Sequence, residues 1–238
     1  LDTLSASHRY NAWLFHTLKP FLAGQVLDIG SGLGDIVAFY AQCPVERIYA
    51  SDRSPAMVRS LKERFSQNPR YSVLSLDITR PLTTQSIPVS HMDTLTCVNV
   101  LEHIPKEAEA LACMRALLKP QGTLLIVVPA FPFLYGTLDA LVGHQRRYTQ
   151  KTLKTLLSKA GLRVENLFYL NLFGTVTWFM AGRVFKHKRF PQKTCGWLDR
   201  LVPALEHMEN TWHPPFGQSL IAVARNPNEV KGRETPPA

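Results

Sequence analysis

The run LYGTLDALVGHQRRYT gathers Asp139, His144, Arg146, Arg147 and Tyr148 into ten consecutive positions. Histidine titrates near neutral pH, and a nearby carboxylate can tune it as a general base. His144 is therefore the candidate base, grouped with Asp139 and Tyr148 as the candidate catalytic residues. The twin arginines carry the planar fork that binds a phosphate or carboxylate on a substrate. The plainer alternative is architectural: His144 caps a turn and the arginines pair with Asp139.

A second signature lies upstream in VLDIGSGLGD, residues 26–35, where an apolar run meets Gly30, Ser31, Gly32 and Gly34. This is G-x-G-x-G. The dinucleotide fingerprint G-x-G-x-x-G/A wants a small residue where Asp35 stands. An aspartate there would also repel a pyrophosphate seated on the following helix. The lysine of a phosphate-binding loop is missing as well. A nucleotide without phosphate fits better, and S-adenosylmethionine meets that requirement with its adenosine, sulfonium and amino-acid end. Asp28 then holds the ammonium end or braces the loop, and the glycines admit close backbone approach. Asp52, with Arg53 beside it, accepts from the ribose hydroxyls. Asp77 takes the adenine amino group, and Ile78 packs on the ring.

These residues need a scaffold that brings strand ends together. Short apolar strands are expected at QVLDIG, RIYASD, YSVLSLD, MDTLTCVNV, GTLLIVVPA, RVENLFYL and SLIAVARN. Helices are expected at SHRYNAWLFHTLKPFL, DIVAFYAQC, SPAMVRSLKERFSQN, PKEAEALACMRALL and TQKTLKTLLSKAG. Ser54 and Thr149 stand as N-caps, Pro55 as the first helical residue, and Gly161 as the stop. Alternation at this rhythm predicts an α/β protein with a doubly wound, Rossmann-like sheet. One domain is expected over 1–225, with a helical cap inserted at 171–217 and a flexible tail at 226–238.

Through these motifs the sequence resembles the class I S-adenosylmethionine-dependent methyltransferases across about residues 8–225. VLDIGSGLGD is similar to their first motif, YASDRS to the second, LDIT to the adenine motif and CVNVLEHIP to the fourth. The resemblance implies seven strands with a reversed final edge strand. It places Asn99 and Leu101 near the methionine and adenine parts of the cofactor, and has Tyr10 close over the methionine end. The Asp139–Tyr148 region resembles a segment of bacterial methyltransferases found beside glycosyltransferases, with Y-G-x-x-D and G-H-x-R-R-Y. Glu102 and His103 form a further pair. In the ubiquinone-pathway O-methyltransferases a glutamate three residues earlier helps to bind a divalent metal; Asn99 stands there in this sequence. No metal is expected, and the pair reads as lining of the methionine pocket, with His103 a secondary catalytic candidate.

The insertion bears on the acceptor. LFYLNLFGTVTWFMAG, residues 167–182, carries no charge and is followed by the basic run RVFKHKRFPQK. It is too short to span a bilayer once its first residues enter a strand. It reads as a lid over the active site or as an interfacial helix meeting anionic head groups through 171–193. DRLVPALEHMENTWHPPFG reads as a second cap helix and return loop. Residues 1–140 hold 12 basic and 12 acidic side chains, while 141–238 hold 15 and 6, so the net charge of +9 belongs to the C-terminal part. No separate RNA-binding module accompanies that charge, which disfavours a nucleic-acid acceptor. Cys43, Cys97, Cys113 and Cys195 lack metal or disulfide spacing and suit a reducing compartment. The first residue is Leu1, which leaves a removed leader open; what remains has no signal-peptide pattern. The expectation is a cytoplasmic methyltransferase, with membrane-surface contact as the sharper alternative. It would act on a small or lipid-linked molecule, O-methylation favoured. An RNA methyltransferase and a non-catalytic cofactor-binding module are the alternatives.

Overall fold

Seven strands form one sheet in a computed structural model that describes residues 8–85, 89–186, 192–212 and 214–227. In chain order they are β1 (Gln25–Ile29), β2 (Arg47–Asp52), β3 (Tyr71–Ser75), β4 (Met92–Val98), β5 (Leu118–Pro129), β6 (Arg163–Leu170) and β7 (Ser219–Arg225). Their order across the sheet is β3-β2-β1-β4-β5-β7-β6. The first five pair in parallel, and β7 runs antiparallel to both β5 and β6. The reversed strand is the last in sequence, as expected, and lies one place in from the edge that β6 forms.

Alternation along the strands builds two cores. Leu27 and Ile29 of β1, with Leu124, Ile126 and Val128 of β5, face one cluster; Val26, Leu125 and Val127 face the other. Helices α3 (Glu107–Leu117) and α5 (Gln150–Lys159) cover the first face through Leu111, Met114, Leu153 and Leu157. Helix α1 (His8–Leu18) covers the second with Trp13, Leu14, Phe15 and Leu18, each removed from water and contributing about 1.5–3 kcal/mol. Leu61 of α2 (Pro55–Phe65) joins that face. The order reverses between β1 and β4, which opens a crevice at their C-terminal ends.

Local signals set most helix ends. The Thr149 hydroxyl accepts from Thr152 N to cap α5, and Gly161 ends it at φ +78°. Ser54 stands at the N-cap of α2 without a capping bond from its side chain; its amide instead donates to Asp52 Oδ1 at 2.8 Å. The helix expected over 35–43 is a short 3-10 turn, Val37–Gln42. It sits between a glycine turn and the Cys43-Pro44 step, which leaves no length for α-helical nucleation and turns its last residue extended.

The cap consists of α6 (Leu172–Phe179), continued by a π-type turn at Met180–Val184, and α7 (Gln192–Thr211). Helix α7 begins earlier than the expected start at Asp199. Glu209 of α7 accepts from Asn171 N and Leu172 N, both at 2.8 Å, so one buried carboxylate fixes the N-terminus of α6. A short helix, α4 (Thr137–Val142), links β5 to the candidate catalytic segment. Cys43, Cys97 and Cys113 are free thiols. The side chain of Cys195, the centre of the basic run at 187–191 and the tail from 228 lie outside the described residues. No helix of the described residues is long and apolar enough to cross a membrane.

Candidate active site

The turn after β1 treats its three glycines differently. All have left-handed φ, +70° at Gly30, +56° at Gly32 and +84° at Gly34. A Cβ at Gly30 would strike Val100, and one at Gly34 would strike Leu61 and Phe65 of α2. At Gly32 a Cβ would meet nothing within 4 Å. Gly30 and Gly34 are thus demanded by packing, and Gly32 is the open face against which a ligand backbone can lie. Asp52, at the end of β2, accepts from Gly32 N at 3.0 Å and from Ser54 N at 2.8 Å. Its two oxygens retain lone pairs for the vicinal hydroxyls of a ribose. The open glycine and this carboxylate together fit the nucleoside half of S-adenosylmethionine.

The other expected cofactor residues divide. Asp28 is buried and accepts from Thr96 Oγ1, from Ser31 Oγ at 2.7 Å and from Tyr40 OH at 3.5 Å, so it braces the loop. Burial pushes its carboxyl up to about 6, against the pull of those hydroxyls. Ser31 is therefore a brace as well. Asp77 is drawn into its own turn by Thr79 Oγ1 at 2.6 Å and Arg80 Nε at 3.3 Å. Burial raises its pKa, but the hydrogen bonds from Thr79 and the charges of Arg80 and Arg53 hold it below the usual range. Ile78 is buried in the core and offers no open face to an adenine ring. Asn99 is exposed at the end of β4 in a left-handed conformation, and Leu101 behind it is fully buried. Exposed Arg53 lies near enough for its charge to act on both Asp77 and His103. Tyr10 turns its hydroxyl to Ser219 Oγ at 3.1 Å, tying α1 to the start of β7.

The candidate catalytic segment folds back on the turn after β4. Gln145 N donates to Glu102 O, and Gln145 Nε2 to His103 O, both at 3.0 Å. This zipper sets His144 beside Glu102. The Asp139 carboxylate, at the start of α4, is fully buried and accepts four bonds. They come from His144 Nδ1 at 2.8 Å, Arg147 Nε at 2.7 Å, Trp178 Nε1 at 3.0 Å and Gly136 N at 3.0 Å. Burial would raise its pKa, but the bond from His144, with the charge and bond of Arg147, wins and holds it low. An ionised Asp139 can only accept, so Nδ1 of His144 carries a proton, and in the neutral imidazole it is Nε2 that presents the lone pair. That nitrogen lies 3.6 Å from Glu102 Oε1. Burial pushes the Glu102 carboxyl up to about 8.

Tyr148 does not join this pair. Its hydroxyl donates to Glu107 Oε2 at 2.6 Å, and Arg146 Nη1 meets the same oxygen at 2.8 Å. Arg147 is buried against Asp139, with its Nη1 on Ala130 O at 2.9 Å. The twin arginines are therefore spent within the protein and are not placed to bind a substrate anion. Arg147 pairs with Asp139, as the architectural alternative expected, and His144 pairs with the same carboxylate. Two participants escaped the sequence reading. Trp178 of α6 reaches Asp139 from 39 residues away, and no local pattern marks it. Glu102 was visible, but its complete burial beside His144 was not.

Comparisons with known proteins identify the family and the fold. The family model described as a methyltransferase domain matches residues 6–167, more than half of the chain. The chain is 25% identical over 214 residues to the ubiquinone/menaquinone biosynthesis C-methyltransferase UbiE of Burkholderia mallei, covering 76% of this chain and 85% of that protein. It is 29% identical over 160 residues to a 37.1 kDa protein of transposon TN4556 from Streptomyces fradiae, covering 65% of this chain and 45% of that protein's length. Among solved structures, phosphoethanolamine N-methyltransferase 2 of Haemonchus contortus, crystallised with S-adenosyl-L-methionine, superimposes with a TM-score of 0.60 at 18% identity, covering 92% of this chain and 53% of the other. A SAM-dependent methyltransferase of Aquifex aeolicus gives 0.57 at 18% identity, covering 70% and 89%.

Proposed function

The chain belongs to the methyltransferase-domain family, as a class I enzyme using S-adenosylmethionine, and on that premise we propose that it methylates a hydroxyl of a small or lipid-linked acceptor with His144 as general base. The observation that carries this reading is the imidazole of His144, fixed through Nδ1 on a buried, ionised Asp139 with its Nε2 3.6 Å from Glu102 Oε1.

The bound cofactor supplies a methyl group already activated on a sulfonium. The glycine turn and Asp52 hold the nucleoside end, Asp28 and Ser31 keep that turn in shape, and Asn99 stands at the rim. His144 Nε2 would take the proton of the acceptor hydroxyl as that oxygen receives the methyl group. Asp139 stabilises the imidazolium that results and keeps the ring oriented. A positioned base of this kind is worth about 10²–10⁴-fold, and alignment of donor and acceptor supplies the larger share.

The cap supports the acceptor class. Val176, Phe179, Met180 and Val184 recur at helical spacing and are exposed. They sit in a stretch, residues 166–198, that carries Arg183, Lys186, Lys188, Arg189 and Lys193 and no acid. A groove of about 480 Å³ runs between α4 and the π-type turn, lined by Gly136, Thr137, Phe179, Gly182, Arg183 and Lys186 among others. It adjoins the Asp139 network through Gly136. An apolar wall with cations suits an acceptor that has a hydrocarbon part and an anionic group, presented at a membrane surface.

The test is turnover of His144→Gln on hydroxyl-bearing small molecules and lipid-linked sugars, with carbon acceptors run in parallel. Turnover should fall about 10²–10⁴-fold while affinity for S-adenosylhomocysteine stays unchanged. Full activity would remove the base, and turnover confined to carbon acceptors would remove the O-methyl reading.

A further inference from the structure

Glu102 is the one carboxylate among the described residues that is fully buried with both oxygens lacking a hydrogen-bond partner. Leaving a buried polar group unsatisfied costs about 1–3 kcal/mol, more when it is charged. Arg147 does not relieve it, for its Nη2 is also without a partner. Two imidazoles flank the carboxylate. His144 is pinned through Nδ1 on Asp139 Oδ1 at 2.8 Å, and His103 through Nδ1 on Gly143 O at 3.1 Å. Gly143 adopts φ +80°, which lets the chain turn and aim that carbonyl. A carbonyl and an ionised carboxylate can only accept, so both rings carry a proton on Nδ1, and in the neutral imidazoles both Nε2 atoms present lone pairs.

One donor atom from each of Glu102, His103 and His144 lies within 4.8 Å of the other two. His144 Nε2 and Glu102 Oε1 are 3.6 Å apart, close to the ~3.3 Å between donors on a tetrahedral ion with bonds near 2.0–2.1 Å. Two imidazoles and a carboxyl group converge here, and the proton that burial holds on Glu102 up to about pH 8 is the one a bound cation would displace. Each histidine also has an oxygen partner behind it, the arrangement that orients metal-bound imidazoles. Sequence reasoning expected no metal because Asn99 offered no carboxylate; the third donor instead arrives from the segment after β5.

We infer that Glu102, His103 and His144 form a site for one divalent transition cation of the zinc or cobalt class, with a fourth position open. Two imidazoles and a carboxylate favour such ions over magnesium or calcium, which prefer oxygen. A cation there occupies the Nε2 lone pair of His144 and so competes with proton transfer. That consequence rests on the reading of His144 as base; the site itself does not.

The probe is Co²⁺ alone, titrated into the chelator-treated protein and followed by visible absorption, with Zn²⁺ in competition. One equivalent should bind in a low-symmetry, intensely coloured site. His103→Ala and Glu102→Gln should each weaken it at least tenfold, and Asp139→Asn by about 10–100-fold. His103 is only partly buried, so its replacement is the variant expected to keep the fold; affinity for S-adenosylhomocysteine reports that independently. No stoichiometric Co²⁺ signal, or equal affinity in His103→Ala, overturns the site. Stoichiometric Zn²⁺ should also inhibit methyl transfer by the parent protein. Tight binding without inhibition would uphold the site and overturn His144 as the base.

Discussion

Asp28 illustrates how one buried carboxyl shapes the cofactor turn. It titrates near 6, above the ordinary 3.8, because burial disfavours its ionised form more than Thr96, Ser31 and Tyr40 favour it. The fold thus holds this proton more tightly than the unfolded chain does. The group's contribution to stability is full below pH ~4 and is lost as pH rises through about 6, a change on the order of 3 kcal/mol. Asp28→Asn removes the titration and adds a constant offset from the altered hydrogen bonds. Relative to the parent, the variant's melting temperature should climb between pH 4 and pH 7; parallel melting curves would contradict the assignment. Asp52 and Gly32 were legible in the sequence because strand ends and glycine spacing are local signals. Asp28 was legible as a candidate, but its commitment to bracing was not, since its partners come from three separate elements. The same holds for Tyr148, near His144 in sequence and turned by the fold onto Glu107.

At the scale of elements, the strands were readable, most plainly β1, β4, β5 and β7, whose burial leaves apolar runs that end at turns. The short 3-10 turn at Val37–Gln42 was misread as a helix because apolar content was counted and available length was not. The cap was readable as helical, but its attachment was not. Glu209 and Trp178 fix α6 to α7 and to Asp139, across 37 to 39 residues of chain. On the proposed function, Glu209 positions the acceptor side through the N-terminus of α6. Glu209→Ala should raise the acceptor KM several-fold and leave affinity for S-adenosylhomocysteine unchanged, as read by initial rates and titration calorimetry. Parallel losses in both would show that the cap supports the whole cleft instead. Close approach works at the same joint: a Cβ at Gly136 would stand 2.7 Å from Gly182 O, so the π-type turn lies directly on the start of α4.

Across the whole molecule, charge and chemistry separate. The N-terminal strands carry the nucleoside turn and no net charge, while the C-terminal part holds the cap and the entire excess of +9. Such a division lets the cofactor half keep the family's architecture while the cap answers to the acceptor. The sheet order explains why the two halves meet: β5 and β7 are neighbours, so the loops that follow β4 and β5 and precede β7 share one end of the sheet. The cofactor and methyl-transfer roles depend on a phosphate-free nucleoside lying on Gly32 with its ribose on Asp52. The measurement that tests this most directly is calorimetric titration with S-adenosylhomocysteine, alongside NAD and ATP, on the parent protein and on Asp52→Ala. One selective site in the parent, weakened at least tenfold, about 1.4 kcal/mol, in Asp52→Ala, is the predicted result. Preference for NAD, or equal affinity in the two proteins, would contradict the placement of the cofactor and the catalytic roles that depend on it.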